Sequence, residues 1–465
     1  MAVPNNKRAV FMSSVLLTDY YQYSMAQGYW KLGMHNQEAV FYLFFRRNPL
    51  NSDYVIASGL QTVIDFVRDF KFTDADLDYL ASLNNHTFSA DFLAYLKTLR
   101  FTGDIDAVPE GSVVFANEPL LRIKAPLLLA QILETPIINA INFSSTVASL
   151  ASRMRLIAGD DHLFEFGLRR AQGPNGGLTA SRAAFLGGFD ATSNVLAGKQ
   201  FGIPVVGTMS HSWVMAFENE LTAFRAYANA TRDDLVLLAD TYDTVRGIEN
   251  AITVAHELKK QNRQLKGVRL DSGELAVLSR IAREKLNQAG LHDTQIYVSG
   301  DLSEKRLLEL KSMHAPINGW GIGTQLSTAY EQPALDMVYK LSAIQKENQW
   351  AYKLKRSENS IKTSDPGILQ VRRFFQESKW LRDIIYHVDF GVDESHFSPN
   401  EKSADLLIPI FKDGKTVSQQ PILSESRKYA LEQLAQFHAS KGGCYSVITD
   451  LKLTRLKQCI MESNL

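Results

Sequence analysis

Cysteine is scarce: the 465 residues contain two, Cys444 and Cys459, with no CxxC pair and no Cys/His spacing suited to zinc. That excludes a disulfide framework and a structural zinc site, and it fits a reducing cytosol. An excess of charge is missing too. Lys plus Arg and Asp plus Glu number 50 each, so no broad basic surface for nucleic acid is expected, although a local basic pocket is compatible with a neutral total. Long apolar runs are interrupted. The most apolar stretch, Leu127 to Phe143, contains Gln131, Glu134, Pro136, Asn139 and Asn142, which argues against a membrane span. Met1 to Ser14 carries Lys7 and Arg8 with no apolar core behind them; no signal peptide is expected, and the expected location is cytoplasmic. There is no GxxxxGK[ST] run and no GxGxxG around Gly319–Gly323, so neither a Walker A loop nor a Rossmann dinucleotide site is expected. No internal repeat or low-complexity segment is visible.

What is there reads as a globular α/β chain, with 45% apolar and 22% charged residues. The length allows two or three domains. The expected division is an α+β domain over 1–137, a catalytic β/α domain over 138–345, and a C-terminal segment, 346–465, packing with the first. Thr18 or Asp19 can cap a helix running to Trp30. Ala39–Phe45 reads as a strand. Helices are expected over Gly59–Phe70, Thr73–Leu83 and Ser89–Leu99, with Thr73 and Asp76 as a capping box. Phe101–Ile123, punctuated by glycine and proline, reads as antiparallel strands. Leu127–Ile157 is a long helical pattern in which Pro136 should produce a kink. Asp336–Ile344 and Asp405–Phe411 read as strands and Ser424–Ser440 as a helix. Arg372-Arg373, Arg427-Lys428 and Lys452–Lys457 read as solvated charge.

From His162 the rhythm becomes strand, loop, helix. Strands are expected at Leu163–Phe166, Val205–Gly207, Leu235–Ala239, Gly267–Leu270, Gln295–Val298 and Trp320–Ile322, with a weaker one before Val205. Helices at Trp213–Ala230, Thr244–Lys260, Glu274–Ala289 and Ser303–Lys311 separate them. Such units build a parallel sheet, open or closed. The expected fold class is α/β: an irregular, TIM-like β/α barrel with an additional α+β domain. Polar residues and glycines follow each strand: Arg169 and Arg170; Thr208 and His211; Asp240; Arg269, Asp271, Ser272 and Gly273; Ser299, Gly300 and Asp301; then Gly321, Gly323 and Thr324. In a barrel these ends share one mouth, where chemistry sits.

The residue types define a chemistry. Glycine-rich strand-end loops present backbone N–H groups to phosphate, a task for Ser299, Gly300, Gly321, Gly323 and Thr324. Arg169, Arg170 and Arg269 suit phosphate or carboxylate. Asp271 and Asp301, with Asp240 as a weaker third, suit hydrated Mg²⁺. His211 can act as a base or a phosphoryl acceptor. Glu165, Asp190 and Asp240 are candidates for the carboxylate that orients it. The site suits an anionic substrate with several phosphates, plus magnesium.

Three runs are more specific: Leu17-Thr18-Asp19-Tyr20-Tyr21-Gln22, then Glu165-Phe166-Gly167-Leu168-Arg169-Arg170-Ala171-Gln172-Gly173, then Gly207-Thr208-Met209-Ser210-His211-Ser212-Trp213-Val214-Met215. In this order they resemble the nicotinate phosphoribosyltransferase family, and the likeness extends over most of residues 15–345. The resemblance implies transfer of phosphoribosyl from phosphoribosyl pyrophosphate to nicotinate, with ATP as co-substrate, in a homodimer whose active site is shared. It implies that Tyr21 and Phe166 stack on the pyridine ring, with Tyr21 serving the partner's site. Arg269 and the Thr208 loop would read the carboxylate. Thr324 and its neighbouring glycines would take the 5′-phosphate, and His211 would be phosphorylated by ATP. Use of nicotinamide is the nearest alternative; Ala171-Gln172-Gly173 and the Gly207–Ser212 run favour the acid. A silent phosphoribosyl-binding protein is a second alternative, and intact His211, Asp271 and Asp301 speak against it. A Schiff-base lyase would need a lysine at a strand end, whereas Lys266 begins a strand.

Overall fold

The computed structural model describes residues 14–49, 52–83, 87–231, 235–356, 363–377, 379–440 and 445–463. Cys444, noted above, lies outside them. The chain divides into two compact units, one from Met1–Ser149 with Ala334–Leu465, the other Leu150–Pro333.

In the first unit, Glu38–Phe45 is an aromatic and β-branched run buried on both faces, as a central strand should be. It pairs antiparallel with Leu121–Pro126 on one side and Met337–Lys346 on the other. Gln349–Tyr352, Asp104–Ala107, Ile408–Lys412 and Lys415–Thr416 complete a seven-stranded sheet. Phe41 stacks on Tyr339 across the strand pair, 4.9 Å between ring centroids. Helices Leu60–Arg68, Asp74–Ser82 and Ala90–Thr98 fall where expected. The capping box closes reciprocally: the Thr73 N–H donates to Asp76 at 2.9 Å, and the Asp76 N–H donates to the Thr73 hydroxyl at 3.2 Å.

Several expectations need correction. The long helix breaks at Leu133, into Leu127–Ile132 and Glu134–Ala158, not at Pro136. Pro136 sits in the first turn of the second piece, where its missing N–H has no intrahelical partner to lose. Leu127–Ala158 is apolar and long enough to cross a membrane, yet 67% of its most apolar window is buried within the fold, as in a core helix. Asp405–Phe411 is not one strand; Lys402–Asp405 and Ile408–Lys412 belong to different sheets. Trp213–Ala230 is two helices, His211–Met215 and Glu220–Ala230, and the side chain of Asn219 caps the second. Arg372 and Arg373 are not a solvated pair: they lie in strand Leu369–Gln376, beside Lys379–His387 in a four-stranded sheet. Helix Leu451–Ser463 carries the 452–457 lysines, of which Lys457 bonds Asp365 at 2.7 Å.

The second unit is a parallel sheet of six strands in the order Ala191–Thr192, His162–Glu165, Gly319–Ile322, Gln295–Ser299, Gly267–Leu270, Val236–Leu238. Every pairing is parallel, so the strand ends that precede the expected loops share one side. The strand expected at Val205–Gly207 contracts to a single parallel bridge, Thr192 to Val205. Trp320, fully buried, donates its indole N–H to Asp161 at 2.9 Å.

Candidate active site

Strand register brings the site together. Tyr297 pairs with Arg269 and with Gly319, and Ser299 with Gly321. Side chains two residues apart share a face. Arg269 and Asp271 therefore stand beside Ser299, while Gly321 leaves room for a ring: a Cβ there would lie 2.6 Å from the Phe166 ring. Gly300 takes φ +87°, and its bare α-carbon lies against the Asp271 carbonyl, so glycine is required there on both counts.

Arg269 is the hub. Its Nε donates to the Ser299 hydroxyl at 2.7 Å, Nη1 to the Thr208 hydroxyl at 3.0 Å, and Nη2 to Asp271 Oδ1 at 2.5 Å. Its Cζ lies 5.8 Å from the Phe166 ring centroid, within range for a cation–π contact. Ser299 also donates to Asp271 Oδ1. Burial pushes the Asp271 carboxyl upward, but the Ser299 bond, the Arg269 charge and His211 outweigh it and hold the group below the usual carboxylate value. The Asp271 N–H and the Ser272 hydroxyl both donate to Asp240 Oδ2, at 2.9 and 2.6 Å. Asp240 Oδ1 is buried without a partner.

His211 begins the short helix His211–Met215. Its Nδ1 is 3.2 Å from the Thr241 hydroxyl, and its Nε2 is 4.0 Å from Asp271 Oδ2. None of the three carboxylates weighed for orienting the ring is hydrogen-bonded to it. Glu165 is held by Ser181, Thr192 and the Gly167 N–H. Asp190 pairs with Arg155 at 2.6 Å, and Asp240 holds the Asp271 loop. Thr241 directly follows Asp240 at its strand end, and its hydroxyl meets the His211 ring only through tertiary contact. Tyr297, whose ring lies against Gly319 and Gly267, was not singled out.

The remaining residues occupy the rim. Arg170 Nη1 is 3.4 Å from the Thr324 hydroxyl. Gly323 precedes the turn Thr324–Ser327. Arg169 is exposed, as are Ser272, Gly273 and Asp301. Asp301 has φ +42° and forms no hydrogen bond or ion pair with the Arg269 network. Tyr21 belongs to the first unit, on helix Tyr20–Lys31, and is 45% exposed. Phe166, Thr208, Arg269 and Gly321 line a cavity of about 240 Å³ together with Tyr297 and Val236. A larger recess of about 560 Å³ opens around Lys259, Arg263 and His292. It lacks the arginine–serine–aspartate network, so size does not mark the chemistry here.

A parallel α/β unit whose strand ends gather arginine, aspartate, histidine and glycine defines an enzyme that handles anionic substrates. Residues 16–142 match the nicotinate phosphoribosyltransferase N-terminal domain, and residues 162–378 match the nicotinate phosphoribosyltransferase family. The chain belongs to the nicotinate phosphoribosyltransferase family. It is 42% identical over 437 residues to nicotinate phosphoribosyltransferase of Bacillus subtilis, covering 90% of this chain and 88% of that one. With the Caenorhabditis elegans enzyme of the same name it shares 36% over 496 residues, covering 90% and 87%. The crystal structure of human nicotinic acid phosphoribosyltransferase superimposes with a TM-score of 0.82 at 31% identity, covering 95% of this chain and 99% of that one.

Proposed function

We propose that this chain transfers the phosphoribosyl group of phosphoribosyl pyrophosphate to nicotinate, yielding nicotinate mononucleotide and pyrophosphate for NAD salvage. The observation that carries this reading is Arg269, fixed by Thr208, Ser299 and Asp271 beneath the Phe166 ring. An aromatic face beside a guanidinium with open N–H groups suits a pyridine carboxylate. The ring nitrogen attacks C1 of the ribose as the bond to pyrophosphate breaks. Positioning of the two reactants supplies much of the rate.

The rim takes the phosphates. Arg169, Arg170 and Thr324, with Gly321 and Gly323, receive the ribosyl phosphate and pyrophosphate; Ser272, Gly273, Ser299 and Gly300 add donors. The carboxylates Asp271 and Asp301 are assigned to hydrated magnesium, which neutralises the leaving pyrophosphate when bound. Asp240 supports the fit best, since its Oδ1 is a buried acceptor with no partner.

With Nδ1–H donating to Thr241, Nε2 of His211 carries the lone pair that accepts a phosphoryl group from ATP; the Nε2–P bond forms as the bond to ADP breaks. Hydrolysis of that phosphohistidine drives mononucleotide formation. We take the parallel strands as an irregular β/α barrel, because Val205 and Val236, from the two ends of the strand series, line one cavity. We take the assembly as a homodimer in which Tyr21 reaches the partner's site; Leu17, Tyr20, Tyr21 and Met25 form an exposed apolar group on and beside the first helix. Scarce cysteine fits work in the cytoplasm.

The test is pyrophosphate release from the purified protein with phosphoribosyl pyrophosphate and magnesium, using nicotinate or nicotinamide, each with and without ATP. Turnover with nicotinate, strengthened by ATP, is expected. Turnover with nicotinamide alone would overturn the ring-recognition argument, and no turnover with either would favour a silent binder. In the His211→Ala variant, ATP stimulation should vanish while some ATP-independent transfer persists; full stimulation would remove the phosphohistidine.

A further inference from the structure

We infer that Glu165 is a positioning residue for the anion-binding loop and that it acts through the backbone of Gly167. The inference rests on the phosphoribosyl-transfer reading above.

Glu165 ends strand His162–Glu165 and is 1% exposed. Among the described residues no lysine, arginine or histidine pairs with it. Three neutral donors satisfy it instead: the Gly167 N–H on Oε1, and the Ser181 and Thr192 hydroxyls on Oε2 at 2.8 and 2.6 Å. A buried carboxylate without a cation is costly, and an apolar side chain would fill a mere packing position more stably. The cost points to what the carboxylate holds.

It holds Gly167. The Gly167 α-carbon lies so close to the Ser327 side chain that any Cβ would collide, and the Ser327 hydroxyl donates to the Gly167 carbonyl at 3.3 Å. That carbonyl also accepts from the Arg170 and Ala171 N–H groups, at 2.9 and 3.1 Å. The turn that carries Arg170 therefore hangs on one residue, through the peptide units on either side of the Gly167 α-carbon. Glu165 fixes one side of it and the Thr324–Ser327 segment fixes the other. Phe166, the residue between Glu165 and Gly167, is fixed with them, its ring against Gly321. A change in the backbone torsions at Gly167 would move the ring and Arg170 relative to each other. Ser181 and Thr192 hold the carboxylate and not Gly167, and their hydroxyls also accept from Asn194 at 3.1 and 3.0 Å.

The substitutions separate these roles. Glu165→Ala releases Gly167. Glu165→Gln keeps an oxygen for Gly167 and turns its NH₂ toward two hydroxyls, which can accept. Thr192→Val removes one anchor and spares the Gly167 bond. Magnesium pyrophosphate is titrated into each purified variant by calorimetry, alongside melting curves and steady-state kinetics. Glu165→Ala should bind pyrophosphate roughly 10- to 100-fold more weakly and raise the KM for phosphoribosyl pyrophosphate more than it lowers kcat. Glu165→Gln should recover most of the affinity, and Thr192→Val should lower Tm without moving affinity. If Glu165→Ala does not fold, Glu165→Asp keeps the charge but loses the reach, and the same weakening is expected. Wild-type affinity in the folded Ala or Asp variant, or equal weakening in Thr192→Val, overturns the inference. A wild-type protein that binds no pyrophosphate overturns the reading of the site itself.

Discussion

The two units each contain an arginine paired with an aspartate beside an aromatic ring, and the two clusters do opposite things. In the first unit Arg373 and Asp383 are 5% and 0% exposed. The guanidinium lies 3.8 Å from the Trp380 ring centroid and contacts Asp383 through Nε and Nη2, Val113 O through Nη2, Tyr445 through Nε and Gln433 through Nη1. Every guanidinium nitrogen is engaged. In the second unit Arg269 and Asp271 are 18% and 26% exposed. Arg269 makes three bonds, so two of its five N–H groups remain for a ligand. Among the described residues Asp271 Oδ2 makes no hydrogen bond, and His211 Nε2 lies 4.0 Å from it. Saturation makes the first cluster a fastener; unused valences let the second meet a ligand, as the proposed function requires.

Glu118 sharpens the contrast. Burial pushes its carboxyl well up, the Asp383 charge beside it adds to the shift, and Arg373 only partly offsets both. The closed cluster thus favours the neutral form of Glu118. Asp271 is held down and ionised, as a group facing cations should be.

The largest expected break is Arg373→Ala, which strands Asp383 without its cation and should cost about 3–5 kcal/mol of stability, read by denaturant unfolding. Wherever the variant is folded, its kcat/KM should hold. Next is Asp271→Asn, expected to lower kcat/KM roughly 100-fold with Tm nearly unchanged. A variant that melted early with intact kinetics would reverse the roles assigned to the clusters. Thr241→Val should weaken ATP stimulation by about tenfold, the worth of about one hydrogen bond to the His211 ring, and leave ATP-independent transfer alone. The smallest effect is Glu118→Gln. A carboxyl raised on folding gives its full stability below its unfolded value and loses it as pH rises toward the folded one. The glutamine stays neutral at every pH, so it should gain on wild type as pH rises above the ordinary carboxylate range, by ~1 kcal/mol. Melting curves across pH check this; a glutamine variant that lost ground at alkaline pH would contradict it.

The same comparison explains what the sequence disclosed. The open cluster was legible because strands alternate with helices after His162, and Arg269, Asp271, Ser299 and Gly321 each sit at a strand end. Parallel pairing then brings them together without further information. The closed cluster was not legible. Arg372, Arg373 and Asp383 break the apolar pattern of Leu369–Gln376 and Lys379–His387, so buried, paired charges read as surface. Thr241 was hidden for a related reason: nothing in its neighbours says that its hydroxyl meets His211. The helix break at Leu133 was legible in kind and misplaced by three residues, because proline removes a donor that matters only beyond the first turn.

The most direct test of the account is kcat/KM for nicotinate in wild-type protein and in Arg269→Ala, with melting temperature measured in parallel. The account predicts a fall of roughly 100-fold or more, carried mainly by KM, with the melting temperature nearly unchanged. Unchanged kinetics in a folded variant would contradict it, and Arg269 would then be a second fastener.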